Sequence, residues 1–287
     1  MKPRYSQIFE PTDSNIFLPE AMIIGTPRGG TSSLYYNLRR HPKFYPKDLL
    51  KESWALSWNW RGESSLHSFK EVHTHPQGTF NIEGSTGDLS HPKCPSRVWN
   101  INPAQKFIAM LRDPVKRAHE NFWLVVKDGN ETVKTFEEAV ELENERLHGG
   151  MFTMFTSKSA PIENYQLYPY LERGKYVTHL KNWFRWFPPE QFLIIKSEDF
   201  FVSPQAILDQ VCDFIGVEKY EFDRLDHWWD AYAIKGSKHG QWPAPELSPE
   251  TALKLYDYFR PLNRELSDLL GRDFTWEYDG DLDGKND

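Results

Sequence analysis

Two cysteines in 287 residues, Cys94 and Cys212, stand far apart, with no C-x-x-C and no ligand-like histidine spacing around either. That excludes a disulfide framework or a zinc site as the organising device and reads both as reduced structural thiols. No apolar run reaches the roughly eighteen residues that a membrane-spanning helix needs. The first residues lead into polar Glu10-Pro-Thr-Asp13 rather than a secretion signal's apolar core, so a cytoplasmic protein without a membrane partner is expected. Positive charge is short as well: 34 Lys and Arg against 41 Asp and Glu leave a formal charge of -7. A protein that coats nucleic acid needs a basic face, so no nucleic-acid partner is expected.

The most telling absence is one lysine. Gly25-Thr-Pro-Arg28-Gly29-Gly30-Thr31-Ser32 has the G-x-x-x-x-G spacing of a phosphate-binding P-loop and a hydroxyl at Ser32, but Thr31 replaces the lysine that reaches a nucleotide's outer phosphates. Arg28 is the loop's only cation. An apolar run precedes the loop and a helix-like run over 32–40 follows, the setting in which bare N–H groups and a helix N-terminus hold an anion. The loop therefore suits phosphate binding without triphosphate chemistry.

What is present in plenty is aromatic: 15% of residues, eleven of them Trp. Most of this reads as packing, but Trp54, Trp58 and Trp60, and Trp228-Trp229, sit among polar residues without a clear period and suit the lining of an opening. Short, continuously apolar runs at 21–24, 79–82, 107–111 and 192–195 predict parallel strands covered on both faces. Helices are expected from Pro114 behind an Asp113 cap, with Val115, Ala118, Phe122 and Val126 at helical spacing, and over 135–147, 167–187, 204–215 and 249–270. The alternation predicts an α/β fold of three layers, P-loop-like, with a central parallel sheet flanked by helices. One domain over 21–277 is expected, after an N-terminal extension 1–20 and before an acidic tail 278–287. The stretches 151–159 and 236–249 read as loops.

Ligands in such sheets gather beyond the carboxyl ends of the strands, where Gly25, Glu83 and Arg112 fall. Arg112 reads equally as a bidentate phosphate anchor or as a structural partner of Asp113 or Glu120. Lys51-Glu52 is most simply solvated surface, yet beside an anion loop a carboxylate is what an acceptor hydroxyl or amine needs as general base. Lys235-Gly236-Ser237-Lys238-His239 is either a solvated turn or a basic flap over an anionic ligand.

These segments in this order, Gly25 to Thr31, Lys51-Glu52, Leu111-Arg-Asp-Pro-Val-Lys-Arg-Ala118 and Lys235-Gly236 with His239, resemble the sulfotransferases that use 3′-phosphoadenosine 5′-phosphosulfate, in particular the heparan sulfate N- and 3-O-sulfotransferase-like enzymes and their bacterial relatives. The likeness runs from about Ile23 to Trp276 and includes Asn182-Trp-Phe-Arg-Trp-Phe187, Tyr258-Phe-Arg-Pro-Leu-Asn263 and Gly271-Arg-Asp-Phe-Thr-Trp276. The resemblance implies a fold related to nucleotide kinases. It implies that Arg28, Gly29, Gly30, Thr31 and Ser32 hold the 5′-phosphosulfate, Arg112 the 3′-phosphate, and Lys235, Gly236, Ser237 and Lys238 the flap contacts. Glu52 matches the catalytic base, with Arg28 and Lys235 stabilising developing charge, and no metal is called for. The donor would have no γ-phosphate for a lysine to reach.

Three positions depart from the pattern. Glu120 stands where the resemblance expects a serine on the 3′-phosphate, so it should turn away or pair with a cation. Gly84-Ser85-Thr86 follows Glu83 where the heparan branch has a lysine, and Ser237 replaces a flap arginine, with Lys238 a substitute; the disulfide that precedes the flap in the 3-O enzymes has no cysteines here. For the acceptor, the negative charge disfavours a long basic cleft. Lys51, Trp54 and Trp58 suit a small molecule, including natural products, with a neutral carbohydrate second. A P-loop kinase would need the missing lysine and a magnesium carboxylate; a non-catalytic nucleotide-binding protein would bind the desulfo product without turnover.

Overall fold

A computed structural model describes residues 16–45, 51–62, 73–147, 162–222 and 245–278, together with Ser64, Ser65, Phe69 and Leu225. The expectations for the flap at Lys235 to His239, for Trp228-Trp229, for the 151–159 loop and for most of the terminal extensions lie outside these residues. The chain forms two compact units, Met1–Met110 with Asn182–Gly240, and Leu111–Lys181 with Gln241–Asp287.

In the first unit, strands β1 (Ile16–Phe17), β2 (Ala21–Gly25), β3 (His75–Pro76), β4 (Ile82–Glu83), β5 (Lys106–Leu111) and β6 (Phe192–Lys196) accompany helices α1 (Thr31–Leu38) and α2 (Cys94–Ile101). The central sheet has the order β4-β2-β5-β6, with β2 parallel to both neighbours; Ala21 faces Ile82 on one side and Lys106 on the other. All five residues of β2 are buried, as a parallel strand with helices on both faces requires. Its two faces show why. Ile23, Ile108 and Met110 pack with Leu34, Tyr35 and Leu38 of α1 and with Ile207, Leu208 and Val211. Phe107 meets Trp183, Phe187 and Phe192 at ring separations of 4.6 to 4.8 Å. The result is mixed α/β with a central parallel sheet flanked by helices. The strand expected at 79–82 begins later than predicted: Gly78 at φ 83° and the Thr79 hydroxyl, which donates to the Pro76 carbonyl at 2.6 Å, form a turn, and Phe80 makes only an isolated bridge to Phe44.

The second unit holds α3 (Pro114–Lys127), α4 (Phe136–Arg146), α5 (Ile162–Leu167) and most of α6 (Tyr176–Phe184). Asp113 caps α3, its Oδ1 accepting from the Val115 and Lys116 amides at 2.8 and 3.1 Å, and Pro114 takes the first helical position, where no amide partner is needed. The single helix expected over 167–187 is instead α5, an irregular stretch with a 3₁₀ turn at Glu172–Gly174, and α6. Pro169 brings no N–H to a ladder, and Gly174 lets the chain pass where a Cβ would lie 2.8 Å from the Phe259 ring. Three further helices follow among the described residues: α7 (Ser197–Val202) and α8 (Pro204–Ile215) in the first unit, and α9 (Pro249–Leu270) in the second.

Candidate active site

The loop after β2 is shaped by what lies against it. A Cβ on Gly25 would sit 3.1 Å from the Thr86 carbonyl and 2.8 Å from Leu89, and one on Gly29 would sit 2.7 Å from the Met110 carbonyl. Hydrogen bonds fix the same path: Thr26 N–H to the Met110 carbonyl at 2.9 Å, Leu89 N–H to the Ile24 carbonyl at 2.7 Å, and the Ser197 hydroxyl to the Gly29 carbonyl at 2.8 Å. The loop is thus held against the ends of β5 and β6 and the segment after β4. Arg28 has φ 66°, a left-handed conformation that a non-glycine residue adopts at a cost of about 1–2 kcal/mol. Gly30, at φ 82°, is the N-cap of α1 and supplies no side-chain cap. The first amides of α1 thus meet no capping side chain from Gly30, the chemistry an anion needs. Thr31, where a lysine would stand, is buried in the first turn, and Ser32 follows half-buried.

Glu52 lies beside this loop through Thr86. The Thr86 amide donates to Glu52 Oε2 at 3.2 Å and its hydroxyl to Oε1 at 3.2 Å, while the Thr86 carbonyl borders Gly25. Two more donors converge: Lys51 Nζ on Oε1 at 2.6 Å and the Trp54 indole N–H on Oε2 at 2.5 Å. The Lys51 side chain is 4% exposed and that of Glu52 is 31% exposed, so the carboxylate is firmly held yet open on one side. Trp54 adopts φ 51° with its amide on the Ser85 hydroxyl at 2.8 Å. Arg112, in the second unit, is bidentate to Glu120, Nη1 to Oε2 at 2.8 Å and Nη2 to Oε1 at 2.5 Å, the structural pairing that the sequence left open. Its carbonyl accepts from the Tyr176 hydroxyl at 2.8 Å.

The sulfotransferase domain pattern matches residues 18–244, most of the chain. The chain belongs to the sulfotransferase family. A sulfotransferase from Alicyclobacillus acidocaldarius superposes with a TM-score of 0.68 at 24% identity, over 90% of this chain and 98% of that one, which shows the fold. Heparan sulfate glucosamine 3-O-sulfotransferase 3A1 of Mus musculus is 24% identical over 279 residues, 91% of this chain but only 65% of its own length. The 3-O-sulfotransferase 6 of Homo sapiens is 24% identical over 272 residues, 90% of this chain and 73% of that protein.

Under Glu52 lies a layer of side chains that the sequence reading did not assemble, although it placed Glu83 at the end of a strand. Glu83, wholly buried, accepts from the Ser85 hydroxyl at 2.5 Å and the Ser53 hydroxyl at 3.0 Å. Burial pushes its carboxyl up to about 7, with the nearby Glu52 charge adding and the serine donors opposing. Asp88 is also buried and held well above the usual aspartate range, by burial first and then by Glu83. Gly84 is small because the Lys51 stem occupies its side-chain space: a Cβ there would lie 2.9 Å from Lys51 Cγ. The signal available beforehand was the run Glu83-Gly-Ser-Thr-Gly87 at a strand end, small residues with two hydroxyls.

The tryptophans differ among themselves. The Trp58 indole packs over Gly87, where a Cβ would lie 2.6 Å from its nitrogen, and edge-on to His91 at 4.8 Å. Trp60 lies under Arg97, whose guanidinium is 4.5 Å from the ring centre. Trp54 is 39% exposed.

Proposed function

We propose that this protein transfers a sulfuryl group from 3′-phosphoadenosine 5′-phosphosulfate to a hydroxyl or amine of a small-molecule acceptor, including natural products, with Glu52 as general base. The observation that carries the reading is Thr86, which holds the Glu52 carboxylate while bordering the first glycine of the anion loop. The loop fits the donor: glycines allow close backbone approach, the α1 N-terminus favours an anion, and Arg28 supplies a permanent charge. Arg28 to Ser32 would hold the 5′-phosphosulfate and Arg112 the 3′-phosphate, with Lys235 to Lys238 closing over the donor. The catalytic domain would span 21–277.

In the reaction, the bond between sulfur and the bridging phosphate oxygen breaks as sulfur bonds to the acceptor. The acceptor proton goes to Glu52, and the phosphate leaves as a stable anion, so neither an acid nor a metal is required. A carboxylate offers about four lone-pair directions, and Lys51, Trp54 and the two Thr86 donors engage them. Proton uptake therefore needs one donor to yield, and Trp54, exposed at the surface, is best placed to do so. A second reading, a carbohydrate acceptor, is favoured by the 3-O-sulfotransferase relatives, whose names state heparan sulfate glucosamine as their acceptor. The formal charge of -7 weighs against a polyanionic chain. Incubation with labelled donor and a panel of phenols, amines, neutral sugars and heparan oligosaccharides tests the proposal. Transfer to a small acceptor that disappears in Glu52→Gln, with binding of the desulfo product kept, is the expected result; unimpaired transfer by that variant would sink the base assignment.

A further inference from the structure

We propose that Glu120 is a donor-selecting residue: its carboxylate occupies the Arg112 fork and lowers this protein's preference for adenosine donors that carry a 3′-phosphate over those that do not. The inference rests on the donor-site reading above, in which Arg112 is the 3′-phosphate anchor.

Both ends of the pair are positioned by regular structure. Arg112 lies between β5 and the Asp113 cap of α3, with its carbonyl tied to Tyr176. Glu120 stands on α3 itself, and the two terminal guanidinium nitrogens meet its two oxygens at 2.8 and 2.5 Å. The side chains are 15% and 29% exposed, so the pair is partly withdrawn from water and stronger than a surface pair. A guanidinium fork fits a carboxylate and a phosphate by the same geometry, so the two compete for the same N–H groups. A phosphate placed on Arg112 without displacing Glu120 would bring two anions together, and an ionised glutamate, unlike a serine hydroxyl, has no proton to donate to it. Arg117, three residues before Glu120 on α3 and wholly buried, donates to the Tyr170 carbonyl and is not presented as a replacement cation. A donor with a 3′-phosphate must therefore swing Glu120 away, whereas an adenosine 5′-phosphosulfate meets an Arg112 already neutralised.

The test is calorimetric titration of the full chain with adenosine 3′,5′-bisphosphate and with adenosine 5′-monophosphate, in the wild type, Glu120→Gln and Glu120→Ser, with melting curves to verify folding. The wild type should favour the bisphosphate by less than about tenfold. Both variants should raise that ratio at least tenfold, on the order of one charge-assisted contact regained, through tighter bisphosphate binding alone. Adding Arg112→Ala to Glu120→Gln should return the ratio to the wild-type value. Binding of both nucleotides with a ratio that the Glu120 variants leave unchanged or lower overturns this inference and spares the donor site. Failure of every form to bind either nucleotide overturns both.

Discussion

Glu52 and Glu120 are both part-exposed carboxylates that meet a cation, yet they are held in opposite ways. Four donors from three residues converge on Glu52, two of them from Thr86, 34 positions away. Glu120 meets both terminal nitrogens of the Arg112 fork, eight positions away. A carboxylate held from several sides keeps its geometry when one partner leaves, which a base needs when its proton arrives. A carboxylate on a guanidinium fork uses the same N–H groups that a phosphate would take, which suits displacement by another anion.

The sharpest way to break this contrast is at Glu52. Glu52→Gln keeps the shape and removes the basicity, so kcat should fall about 10²–10⁴-fold while desulfo-product affinity stays within about threefold; loss of both together would show that Glu52 binds the donor instead. A second effect separates Glu52 from the buried carboxyl beneath it. Glu83, and Glu143 in the second unit, are each raised to about 7 by burial, against an ordinary value of 4.5. Below 4.5 both states hold the proton; as pH rises towards 7 the unfolded chain releases it and the folded chain does not. Stability should therefore fall by up to about 1.4 kcal/mol per pH unit for each group and level off above 7. Urea unfolding from pH 4.5 to 8 should show this decline, and Glu143→Gln should flatten it; a curve that rises with pH would refute burial as the ruling term.

Smaller effects probe the redundancy itself. Thr86→Val removes the hydroxyl but leaves the amide, so kcat should drop about tenfold with the donor KM little changed, as for one lost hydrogen bond among several. Trp54→Phe removes the one donor at the surface and frees a lone pair on Glu52. Its kcat should change by less than about threefold while the acceptor KM rises, and a collapse of kcat would mean that the indole N–H is required rather than displaced.

Much of this was legible in the chain. The buried strand Ala21–Gly25, the loop glycines, the Asp113-Pro114 start of α3 and the helices Pro204–Ile215 and Pro249–Leu270 follow from apolar period and cap chemistry, which are local. The helix expected over 167–187 failed because a periodic pattern there outweighed Pro169 and the close approach at Gly174. The layer of Ser53, Glu83, Ser85 and Thr86 under Glu52 was not legible, because the contacts that assemble it, Ser53 with Glu83 and Thr86 with Glu52, span 30 and 34 residues.

By itself the sequence determined the fold class, the glycine loop after the first buried strand and the family, since backbone geometry is written in small residues, proline and period at short range. Only the tertiary structure decided which cations and carboxylates meet: that Glu120 takes the Arg112 fork, that Thr86 ties Glu52 to the loop, and that Glu83 titrates near 7. Charge pairing and desolvation depend on distance and burial in space, and a linear string of residues carries neither.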